Sequence, residues 1–102
     1  MSLADPTPQD VIDFWFEDAG PAKWYAVSAA FDAVLRRRFG KTIEREAVRY
    51  RTGSHPWLDD AEGALALILL FDQFPRNVWR GSGKAFEFDP LARDIAEAMI
   101  AR

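Results

Sequence analysis

Apolar residues recur every three or four positions along most of this chain and nowhere at every second position, which predicts helices and no strands. Thr7-Pro8-Gln9-Asp10 reads as a helix start: a hydroxyl cap, proline at the first helical position, and an acid at the positive end of the helix dipole. A first helix follows over Pro8 to Phe16, with Val11, Ile12, Trp15 and Phe16 on its apolar face. Gly20-Pro21 marks the stretch Glu17 to Val27 as a loop anchored by Trp24 and Tyr25. Ser28 caps a second helix, in which Phe31, Leu35, Phe39, Ile43 and Ala47 form a stripe running straight past Gly40. A mid-helix glycine costs about 1 kcal/mol against alanine. A continuous buried stripe offsets that, so the helix is carried to about Arg51 and ended at Gly53.

A loop Ser54-His55-Pro56-Trp57 leads to a third helix capped by Asp59 or Asp60, with Glu62 in its first turn. From Ala64 to Phe71 this helix has no polar face, and packing must cover it on nearly all sides. Pro75 is expected to end it, because proline has no amide hydrogen and disfavours helical geometry at the residue before it. After Gly81-Ser82-Gly83, Asp89-Pro90 opens a fourth helix that buries Leu91, Ala92, Ile95, Ala96 and Met99 and pairs Arg93 with Glu97 outside. No Gly, Asn or Pro closes its last turn, so the chain reads as an incomplete folding unit. The expected fold is all-α: one helical domain over residues 1–102 with four principal helices and a flexible N-terminus over residues 1–6.

Composition narrows the chemistry. The absence of cysteine rules out disulfides, thiolate metal sites and cysteine catalysis, and leaves the cytoplasm as the default compartment. The apolar run from Ala64 to Phe71 is far short of the ~20 residues a membrane-crossing helix needs, and no apolar signal segment precedes it, so no membrane role is expected. The net charge of −3 hides an asymmetry, because seven basic residues and only two acids lie between Arg36 and Arg51. Arg37, Lys41, Arg45 and Arg49 form a ridge that could track a phosphate backbone. The acidic remainder, and a ridge with no interleaved aromatics, argue against nucleic acid and for a solvated or self-paired face. Trp15, Trp24, Trp57 and Trp79 are read as interhelical packing.

The polar knot at the end of the third helix holds the candidate ligand-binding residues Asp72, Gln73, Arg76, Asn77 and Arg80. Two guanidinium groups there could hold a carboxylate or phosphate in bidentate fashion. Against that, Asp72 and Arg76 are four apart and can neutralise one another across the proline break. On this reading Arg76 is the structural partner, while Arg80, just before the Gly81-Ser82-Gly83 turn, stays free. The lone His55 could titrate or act as a general base, but no second histidine, cysteine or suitably spaced carboxylate joins it. No catalytic residue, metal or cofactor is assigned. One internal echo sets Phe31-Asp32, Arg36 and Phe39 against Phe71-Asp72, Arg76 and Trp79, forty residues on.

Four segments in order carry a family resemblance: DFWF at residues 13–16, KWY with FDAVLRRRFG between residues 23 and 40, EGALALILLFDQFPRNVWRG at 62–81, and AFEFDPLAR at 85–93. The chain resembles, over nearly its whole length, the first half of the bacterial domain of unknown function DUF-924. The resemblance implies an all-helical, tetratricopeptide-like superhelical architecture without an established activity or cofactor. It also implies further helices with a second polar motif, which have no counterpart here. The expectation is a helical-repeat binding or scaffold module that takes a protein partner or a small anionic ligand. Its open apolar helical surface makes a homodimer the expected assembly. The alternative is a fragment of an enzyme acting on a small anionic metabolite held by Arg76 and Arg80.

Overall fold

The computed structural model describes residues 5–24 and 27–101, and among these every regular element is helical. Thr7 caps α1 (Pro8–Asp13) in a reciprocal box: its hydroxyl accepts from the Asp10 amide, and the Asp10 carboxylate accepts from the Thr7 amide. The helix then widens into a π-helical segment, Phe14–Ala19, closed by Gly20 at φ 72°. This differs from the plain helix expected to Phe16 and the loop expected after it. The π segment carries an extra residue in its turn and so rotates the following side chains. Phe14, Trp15 and Ala19 are thereby buried, while Phe16 is left exposed instead of facing the core.

The expected loop also contains a short helix, α2 (Pro21–Trp24). Trp24 does anchor it, stacking on Trp15 at 5.7 Å and donating its indole N–H to the Trp15 carbonyl at 2.8 Å. Tyr25, the other expected anchor, lies outside the described residues, as do residues 1–4 of the expected flexible terminus. Asp5 is held by Arg45 at 2.9 Å.

α3 (Ala29–Thr52) starts at the Ser28 cap and runs unbroken through Gly40. A Cβ at Gly40 would make only ordinary contacts, 3.7 Å to Arg36 and 3.9 Å to Val78. Continuity of the buried stripe, not close packing, is what carries the helix across it. Gly63 is different, because a Cβ there would run into the Trp57 carbonyl oxygen. That close approach lets the 3₁₀ turn Pro56–Asp59 lie directly on α4 (Ala61–Phe71), which Asp60 caps through the Gly63 amide at 2.7 Å.

Pro75 does not end this region as the sequence reading expected. The helix breaks three residues earlier, at Asp72, and restarts as α5 (Gln73–Val78) with Pro75 in its first turn. The reason is steric. In a continuous helix the Pro75 ring would clash with the Phe71 carbonyl and leave it without a donor, so the break falls between them. In a first turn the missing N–H has no intrahelical partner to lose. After a 3₁₀ turn, Gly83–Phe86, α6 (Asp89–Ile100) completes the described chain.

The apolar α4 is the centre of the molecule. It packs against α1 on one side and α6 on the other, α3 crosses it, and α5 lies along α3. Leu67, Leu70, Phe71 and Phe74 are wholly buried there with Leu35, Phe39 and Ile43 of α3. Truncating one of these large side chains to alanine costs about 2–5 kcal/mol. Rings dominate the seam: Phe74 meets Phe39 at 5.1 Å and Trp15 at 5.5 Å, and Phe71 stacks on Phe88 at 6.3 Å.

Candidate functional site

The five residues singled out by sequence separate into two groups on opposite sides of α5. Its one and a half turns send positions 72, 73 and 76 toward α6 and positions 77 and 80 toward α3.

On the α6 side, the Asp72 carboxylate accepts from Arg76 at 2.8 and 3.3 Å and from the Gln73 amide at 3.1 Å. Arg76 also reaches both oxygens of Asp89 at 3.4 Å and lies 4.9 Å over the Phe86 ring. The expected pair between Asp72 and Arg76 is therefore present, with Asp89 added. It is half open to water: Arg76 and Asp72 expose 40% and 33% of their side chains. Hydrogen bonding to Asp72, helped by the charges of Asp72 and Asp89, holds the Arg76 guanidinium yet more firmly protonated than usual.

On the α3 side, Arg80 is not free. Its Nε donates to Asp32 Oδ2 at 2.7 Å and its Nη2 to Oδ1 at 3.2 Å, while the buried Asn77 amide donates to Oδ1 at 3.0 Å. Arg36 closes the same seam by donating from Nε and Nη2 to the Val78 carbonyl at the end of α5. Burial alone would raise the Asp32 pKa. The hydrogen bonds from Arg80 and Asn77 and the charges of Arg80 and Arg36 outweigh it and hold the carboxylate below its usual range.

Between the groups, a hollow of about 550 Å³ opens over the turn, lined by Arg76, Arg80, Gly81, Ser82, Gly83, Ala85 and Phe86. Each guanidinium uses Nε and Nη2 on its carboxylate, and neither Nη1 has a hydrogen-bond partner among the described residues. A second hollow of about 250 Å³ lies between α4 and α6, bordered by Ile68, Asp72, Arg76, Asp89, Ala92, Arg93 and Ala96.

A buried polar cluster elsewhere was missed by the sequence reading. Glu46 has no exposed side-chain surface, and its carboxylate accepts from Arg45 at 2.9 Å, from Arg49 at 2.9 and 3.2 Å, and from His55 Nε2 at 2.6 Å. His55 Nδ1 accepts from the Trp57 amide at 3.1 Å, which puts the neutral ring's proton on Nε2. Burial depresses the His55 pKa and outweighs the opposing pull of Glu46. Glu46 is itself held below the usual range, because its hydrogen bonds from Arg45 and His55 and the charge of Arg49 overcome its burial. With both ring nitrogens engaged and the side chain enclosed, His55 is a lock between α3 and the following turn, out of reach of any substrate. The same contacts pair Arg45 and Arg49 of the basic ridge with Glu46, although Arg49 stays exposed along with Arg37 and Lys41.

One signal for both acids was present in the sequence. Asp32, Leu35, Phe39, Thr42 and Glu46 follow the spacing of one helical face, so two carboxylates stand in the buried stripe and each demands a donor.

Among the described residues no group of three or more His, Asp or Glu side chains is arranged to hold a metal ion, and no helix is long and apolar enough to cross a membrane. No curated protein matches the chain. A solved structure, that of the protein of unknown function ATU0120 from Agrobacterium tumefaciens, is similar at 44% identity and a TM-score of 0.82. The match covers 93% of this chain and 52% of that one, so the chain spans about half the length of this relative. The family model described as bacterial protein of unknown function (DUF924) matches residues 11–102. A match over that much of the sequence, with the same fold in a relative of this identity, establishes that the chain belongs to the DUF924 family.

Proposed function

We propose that the chain is a cytoplasmic, tetratricopeptide-like helical module that binds a small anionic ligand, or the acidic group of a protein partner, in the hollow over the Gly81-Ser82-Gly83 turn. The observation that carries this reading is the pair of guanidinium groups lining one hollow, each pinned along one edge by a carboxylate and each with Nη1 unused among the described residues. Arginine so fixed is preorganised, and a carboxylate or phosphate oxygen could bridge the two. Phe86 and Ala85 give the hollow an apolar wall, as small-molecule sites commonly have.

An enzyme fragment acting on an anionic metabolite would use the same two arginines. It would need a general base, and the carboxylates closest to the two arginines are engaged already: Asp72 with Arg76 and Gln73, and Asp32 with Arg80 and Asn77. Binding is therefore the reading favoured. Self-association into a homodimer would require a face the chain does not cover with its own helices, and the open side of α4 and α6 is such a face.

The test is calorimetric titration of the whole chain with inorganic phosphate and with a short dicarboxylate. Binding of either is expected, weakened ~10-fold or more by Arg76→Ala, since a hydrogen bond to a charged group contributes roughly 1.5–3 kcal/mol. Absence of heat with both ligands, with the helical signal intact, overturns the proposal.

A further inference from the structure

The sequence of α4 is apolar all round, yet one stripe of it is left open: Leu65 is 37% exposed, and Ile68 and Asp72 continue the stripe one turn at a time toward the helix end. Alongside runs the edge of α6, where Ala92, Ala96 and Ile100 repeat every four residues and Ile100 is 85% exposed. Ile68 and Asp72 at the end of α4 meet Asp89, Ala92 and Arg93 at the start of α6, so the two helices are antiparallel neighbours with a furrow between them. It has an apolar floor and charges of both signs at one end. Such a furrow has the shape of a seat for one amphipathic helix, whose apolar residues enter at three- and four-residue spacing.

We propose that this furrow docks a helix from the part of the DUF924 architecture that this chain does not span, and that it accepts that helix even when supplied by a separate polypeptide. One observation chooses this occupant. The Agrobacterium relative shares the fold of this chain yet carries nearly as much chain again, since only 52% of it is covered. A second copy, which would set the same two helices against themselves across a two-fold axis, is the rival occupant that the experiment tests. The charged end, Asp72, Arg76, Asp89 and Arg93, offers partners to polar residues flanking the incoming helix. Arg76 borders both this furrow and the arginine hollow, but the apolar floor at Leu65, Ile68 and Ala96 belongs to the furrow alone, so a substitution there tests helix docking apart from anion binding.

The experiment co-expresses the tagged full chain with the segment of the Agrobacterium relative outside the shared region, and measures the mass of the purified species by light scattering. A one-to-one complex is expected, lost in Leu65→Asp, whose exposed position leaves the fold of the chain intact by circular dichroism. A second measurement guards against a segment that is insoluble on its own. Because the chain has no cysteine, Ala96→Cys introduces a single thiol, and the same segment is joined by a flexible linker. Maleimide labelling is expected to slow at least tenfold in the fusion relative to the unfused chain. Equal labelling rates overturn the proposal, as does a complex indifferent to Leu65→Asp. A homodimer of the chain alone that Leu65→Asp dissociates overturns it too, in favour of a second copy as occupant.

Discussion

Asp32 with Arg80 and Asp72 with Arg76 are the same chemical pair in two settings, and the contrast shows what sequence spacing can and cannot reveal. Asp72 and Arg76 are four residues apart, exposed by a third or more, and would meet in any helical turn of this sequence. Asp32 and Arg80 are 48 residues apart; the Asp32 side chain is 8% exposed, and the pair forms only once α5 lies along α3. The local pair therefore stabilises an element that forms largely without it. The distant pair joins two elements, and its carboxylate has no water to fall back on if its donors are lost.

The largest expected effect comes from the buried carboxylate. Asp32→Ala should lower unfolding free energy in urea melts by about 3 kcal/mol, the low end for a broken buried pair because Arg80 is partly exposed. Asp72→Ala should cost under about 1 kcal/mol. Equal losses would break the comparison. The arginines should follow in smaller measure: Arg80→Ala by about 1–2 kcal/mol, since Asn77 continues to serve Asp32, and Arg76→Ala by under about 1 kcal/mol. That order reverses the expectation from spacing alone, which made Arg76 the structural residue and left Arg80 free.

Acid titration sharpens the contrast further. The Asp32 pKa is lowered in the folded state, so the unfolded chain binds the proton first as pH falls, and folding is progressively disfavoured. The Asp32 contribution is full above its ordinary value of 3.8 and is lost as pH drops through the lower folded value. The stability gap between the parent and Asp32→Asn should accordingly shrink below about pH 4. His55 acts in a separate window. Its folded pKa is depressed, so stability falls as pH drops from its ordinary 6.5 toward the folded value, and Asp32→Asn should leave that limb unchanged. The smallest effect is ionic: 1 M salt should erase most of the Arg76→Ala difference, a few tenths of a kcal/mol, while the Asp32→Ala loss persists.

The local devices were legible. The Thr7 and Ser28 caps, an aspartate cap left open between Asp59 and Asp60 and found at Asp60, the unbroken stripe through Gly40 and the wholly apolar α4 all rest on contacts within a few residues, and all appear in the structure. The break before Pro75 was legible in kind but misplaced, because the clash acts on the carbonyl four residues back while the reading put the stop at the proline itself. The π segment was not legible. Its widened turn gains from placing Phe14 and Trp15 against Phe39, Phe74 and Trp24, none of which is a local neighbour.

By itself, then, the sequence determined that this chain is helical, where most of its helices begin, and, through four ordered segments between Asp13 and Arg93, its family. Those properties follow from backbone geometry, caps and the three-to-four-residue period, which are fixed by near neighbours. Tertiary structure decided which polar residues meet. It turned Arg80 and Asn77 to Asp32, enclosed His55 with Glu46, and opened one hollow between two arginines and another between α4 and α6. A charged side chain can choose among many partners of opposite sign along the chain, and only the packing of α3, α4, α5 and α6 brings one within three ångströms and shuts water out around it.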